Sequence, residues 1–70
     1  MKVTLIKLRG MPVSVCVEGW AFPVEKGKLL HAEDQRIGAK IKGKEEEYLN
    51  AFDLAHIAWE LQDFDATENN

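Results

Sequence analysis

The sequence predicts an α+β fold: a small antiparallel sheet of four to five strands with one C-terminal α-helix packed on one face. Three observations lead there. The first two-thirds of the chain alternates apolar and polar residues in short runs broken by Gly and Pro. The segment from Ala51 to Phe64 holds no Gly or Pro and is rich in alanine, which favours a helix. The length, 70 residues, allows one domain and only a thin core. Residues 1–66 read as that domain and 67–70 as a frayed acidic tail.

Each element has its own signal. Lys2 to Arg9 places Val3 and Leu5 on one side and Thr4, Ile6 and Leu8 on the other. Gly10-Met11-Pro12 breaks it. Val13, Val15 and Val17 then alternate with Ser14, Cys16 and Glu18, the pattern of a half-buried strand. Gly19 shifts the register, and Trp20, Phe22 and Val24 alternate on even positions. A one-residue shift at a glycine predicts a β-bulge. Pro23 implies that this strand is an edge or leaves its ladder there. Glu25-Lys26-Gly27-Lys28 is a turn signal, with the apolar run Leu29-Leu30 beyond it. Ile37, Ala39 and Ile41 predict a further strand with a basic outer side.

Residues 45–49 read two ways. They are the return strand of a hairpin about Lys42-Gly43-Lys44, or Glu45-Glu46-Glu47 is a first helical turn, where acids complement the macrodipole. Asn50, a strong N-cap residue with Asp53 three positions on, favours the strand and places the helix at 51–64.

At about 100° per residue the helix carries two apolar stripes. Tyr48, Phe52, Ala55 and Trp59 form one. Leu54, Ile57, Leu61 and Phe64 form the other. Asp53, Glu60 and Asp63 make an acidic ridge between them. An ordinary surface helix has a single apolar stripe. The aromatic stripe is expected to face the sheet, since Phe and Trp bury the most area per residue. Leu54, Ile57 and Leu61, rimmed by Asp53, Glu60 and Asp63, are then the expected partner-binding surface. A sheet that wraps the helix and covers both stripes is the competing reading.

The net charge of −3 conceals a division. Residues 1–43 hold eight of the nine basic residues and four acids, giving +4. Residues 44–70 hold one base and eight acids, giving −7. An acid-opened helix followed by an acidic tail gives the same count from local stability and solubility alone. The alternative is a partner with a basic surface.

Catalytic chemistry finds no support. There is no phosphate-cradling Gly-rich loop, so no cofactor is expected. The single cysteine, Cys16, has no neighbouring cation to activate it and reads as an inert thiol. His31, Glu33 and Asp34 could approach one cation, but zinc sites take three or four ligands of defined geometry, and no metal site is assigned. His56 flanks the aromatic stripe as a boundary residue. No enzyme is expected.

A single-stranded nucleic-acid binder would use Lys40, Lys42 and Lys44 with an exposed Trp20 or Phe22. The acidic pI of about 5.3 disfavours it. Without a signal segment or a membrane-length apolar run, and with one thiol, the expected location is the cytoplasm. The layout suits a small acidic inhibitor or regulator of the kind that phages and mobile elements make, docking on a basic, nucleic-acid-handling protein. That analogy is one of size and charge, with no family motif behind it. A structural homodimer is the other interaction reading.

Overall fold

A computed structural model describes residues 2–31 and 41–69. The fold is α+β: five strands in one sheet and a C-terminal helix packed on it. The strands are β1 (Val3–Leu8), β2 (Met11–Val17), β3 (Trp20–Glu25), β4 (Lys28–Leu29) and β5 (Ala66–Asn69), and the helix is α1 (Glu45–Leu61). Their order across the sheet is β4-β3-β2-β1-β5. The first four strands pair antiparallel, but β5 runs parallel to β1, so the sheet is mixed.

Three tight hairpins build β1 to β4. Arg9-Gly10, Glu18-Gly19 and Lys26-Gly27 are the connections, and all six residues have positive φ. Positive φ at both central positions is the type I′ pattern, whose twist matches that of the flanking strands. The parity change near Gly19 is therefore a hairpin, with Val17 opposite Trp20, and not the expected bulge. Both devices shift alternation by one, and the glycine alone does not separate them. Arg9, Glu18 and Lys26 each carry the cost of a left-handed backbone without glycine's freedom. Replacing Glu18 with Asn, which tolerates this conformation, should raise stability by about 0.5–1 kcal/mol. A thermal melt should show a Tm rise of roughly 2–6 °C; a fall would contradict the turn assignment.

The bulge lies elsewhere. Ile6 faces Ser14 and Lys7 faces Pro12, which leaves Val13 as the extra residue of β2. The ladder between β2 and β3 ends at Ser14–Pro23. Beyond it Val24 and Glu25 pair only with β4. Pro23 thus marks the point where the strand leaves its ladder, as its missing N–H implies.

The helix begins at Glu45, six residues earlier than expected, so residues 45–49 are helical and not a return strand. Three successive acids meet the unpaired N–H groups of the first turn. Helical geometry also brings Tyr48 onto the buried line of the helix, against Trp20 and Phe22. The backbone N–H groups of Glu45 itself and then of Gly43 hold the Glu45 carboxyl below its ordinary pKa. That small, solvent-exposed contribution is complete above the ordinary Glu range and is lost as pH falls through the lowered value.

The helix ends in a Schellman motif. Gln62 is left-handed, its N–H bonds the Trp59 carbonyl at 3.2 Å, and the Asp63 N–H bonds the Ala58 carbonyl at 3.0 Å. The chain then turns into β5. Asp65 clamps the start of β1: its N–H bonds the Val3 carbonyl, and its Oδ2 accepts from the Val3 N–H at 2.7 Å. Residues 66–69, expected as part of a frayed tail from 67 on, are thereby zipped onto β1. The strand expected over 37–41 lies outside the described residues except for Ile41.

The core consists of Val3, Leu5, Val15, Val17 and Phe22 from the sheet, with Tyr48, Ala51, Ala55 and Ala58 from the helix. The alanines, not Phe52 and Trp59, form the line closest to the sheet. Small side chains let the helix approach closely, and the two aromatics wrap the edge of the contact, half-buried.

Candidate functional site

The outer surface of α1 carries the first candidate. Ile57 is 54% exposed and Leu61 is 69% exposed. They stand four residues apart, on one side of the helix. Leu54, expected beside them on the free surface, is half-buried and packs against the core. It forms the inner border of the stripe and not its centre. Asp53, Glu60 and Asp63 are all exposed, as the sequence implied. Phe64, the last member of that stripe, folds back toward Trp59, with ring centroids 6.4 Å apart.

The helix also exposes an apolar residue outside the expected surface. Leu49 is 53% exposed. Assigning residues 45–49 to a strand removed it from the helix surface. On the helix it lies on the far side of the Asp53/Glu60 ridge from Ile57. The acids therefore sit between two exposed apolar positions.

The sequence offers His31 to a possible cation cluster. Its ring instead stacks on Phe52, with centroids 3.6 Å apart, and its Nδ1 lies 3.3 Å from the Tyr48 hydroxyl in a hydrogen bond. Glu33 and Asp34 lie outside the described residues. Among the described residues no group of three potential metal ligands comes together. His56 is exposed and lies 3.4 Å from Glu60, one turn on.

Cys16 is half-buried between Thr4 and Ala21 in the ladder, on the side of the sheet away from the core valines. Its Sγ lies 3.7 Å from the Ser14 hydroxyl. The aromatic platform of the nucleic-acid reading does not form as expected. Phe22 is fully buried, and Trp20 packs edge-on against Tyr48 at 5.3 Å. Lys42 and Lys44 are exposed, and Lys40 lies outside the described residues.

The second candidate is a cleft that sequence reasoning did not foresee. It forms where β2 and β3 part company. The bulge at Val13 and the end of the ladder at Pro23 splay the two hairpin tips. Leu8, Met11, Pro12 and Val13 line one side, Val24 and Gly27 the other, and Trp59 of the helix closes it. Its volume is about 650 Å³. The Trp59 Nε1–H donates to the Gly27 carbonyl at 3.2 Å, which holds the indole in place. Among the described residues, Arg9 and Lys26, from the two turns, are the only charged ones in the lining. Pro23, which ends a ladder, and Pro12, which adjoins the bulge, were the available signal. A sequence does not show that two such interruptions face each other across a sheet.

Among the described residues no helix is long and apolar enough to cross a membrane. No family model, curated protein or solved structure matches the chain.

Proposed function

We propose that this protein is a non-enzymatic interaction module that docks through the outer surface of α1 on a basic patch of a larger protein. The observation that carries the reading is the exposure of Ile57 and Leu61 beside Asp53, Glu60 and Asp63. Apolar side chains exposed together favour coverage, and their acidic rim selects the charge of what covers them. Residues 44–70 contribute −7. A symmetric dimer through this surface would set two such charges against each other, so a basic partner is favoured over a second copy. Carboxylates placed where phosphates would bind make an acidic inhibitor or regulator of a nucleic-acid-handling protein the most specific form of this reading. A cytoplasmic location fits the single free thiol.

The test compares the wild-type protein with Ile57→Glu in affinity capture from host lysate at low and high salt. A basic protein should be retained by the wild type, released by salt and lost with Ile57→Glu. The variant should melt within about 2 °C of wild type, because the side chain is exposed. Equal capture by both proteins would refute the role of this surface. Sedimentation at twice the 7.9 kDa mass, abolished by Ile57→Glu, would replace the basic partner with a second copy.

A further inference from the structure

The geometry points to the cleft between the β1–β2 and β3–β4 hairpin tips as a binding site for a small amphipathic anion: an apolar chain or ring ending in one carboxylate. This inference is independent of the helix surface. At about 650 Å³ the cleft falls in the size range of small-molecule sites. Leu8, Val13, Val24 and Trp59 offer an apolar lining on three sides. Sites of this kind bind the body of a ligand by burial and orient it with a few polar groups.

The charge of the ligand follows from the lining. Arg9 and Lys26 lie on opposite hairpin turns, and no acid lines the cleft among the described residues. Both belong to the basic part of the chain, residues 1–43, whose net charge is +4. Glu25 precedes Lys26 but pairs with Lys28 across the β3–β4 hairpin, and it does not line the cleft. A guanidinium and an ammonium at the rim suit a carboxylate head, with the Arg9 fork able to bind both oxygens. The indole of Trp59 is already held by the Gly27 carbonyl, so one wall is formed before any ligand arrives.

The test is an NMR titration of the intact protein with three probes of equal chain length: octanoate, 1-octanol and octyltrimethylammonium. Octanoate should shift the signals of Val13, Val24 and the Trp59 indole N–H. Octanol should bind more weakly, and the cation should leave these signals in place. Arg9→Asn and Lys26→Asn remove the charges while suiting the positive φ of both turns, so the fold is retained. Each should weaken octanoate binding about two- to fivefold, and the double variant about tenfold, as expected of solvent-exposed ion pairs. Three results would each overturn the inference: equal binding of anion and cation, unchanged octanoate affinity in the folded double variant, or octanoate shifts confined to Ile57 and Leu61.

Discussion

Phe22→Ala should leave the domain unfolded at room temperature. Phe22 has no exposed surface and is the largest fully buried side chain. Its ring lies 5.5 Å from Tyr48 and 5.4 Å from Phe52, so it joins the sheet to two of the three aromatic residues of the helix. Removing a buried Phe costs about 3–5 kcal/mol, through lost transfer energy and the cavity left behind. A single core in a domain of this size rarely supplies more than about 3–5 kcal/mol in total. The loss therefore matches the whole margin. Circular dichroism should show no cooperative melt for Phe22→Ala, whereas Phe22→Leu, which retains most of the volume, should still melt cooperatively. A cooperative Phe22→Ala transition above about 40 °C would mean that the core lies elsewhere.

Ala55→Leu should destabilise by about 1–3 kcal/mol, although leucine is an excellent helix former. Ala55 is fully buried on the line of α1 nearest the sheet. Three extra heavy atoms there have to push the helix away from the sheet. Trp59, four residues on, would be moved from its bond with the Gly27 carbonyl. The expected result is a Tm lower by roughly 4 °C or more, with altered tryptophan fluorescence. Ile57→Ala, on the exposed side of the same helix, should change stability by no more than about 0.5 kcal/mol. If Ala55→Leu instead stabilised the domain, the close approach of helix to sheet would be wrong.

These two residues also show how far the sequence could be read. Phe22 belonged to an alternating run, and period-two alternation assigns such a residue to one side of a strand without further information. Ala55 was harder. Large side chains were expected to mark the buried line, but the helix presents its smallest ones to the sheet and uses Phe52 and Trp59 at the edges. Hydrophobicity ranks side chains by burial energy and says nothing about how closely two backbones approach. The early helix start was legible in the three glutamates but lost to the capping signal at Asn50. Strand β5 was not legible, because Ala66-Thr67-Glu68-Asn69 has no apolar alternation. It is held by backbone pairing with β1 and by Asp65, a contact across 62 residues. For the site, exposure of Ile57 and Leu61 followed from the two-stripe pattern. Leu54 went inward because it lies closer to the alanine line than they do. The cleft depends on a bulge and a ladder end meeting in space, which no local pattern encodes.

The pairing of β5 with β1 also sets an order of events during synthesis. Strands β1 to β4 and their three tight turns can form as soon as they leave the ribosome, from neighbours in the chain. One side of β1 stays open until residues 66–69 arrive. At ~5–20 residues per second, the roughly 60 residues between them take about 3–12 s to make. For that interval the nascent chain presents an open edge along Val3, Thr4, Leu5 and Ile6, with Lys7 as the charged residue within it. Unpaired edges of this kind are where neighbouring chains join. The last strand to be made is thus the one that ends the period of greatest aggregation risk.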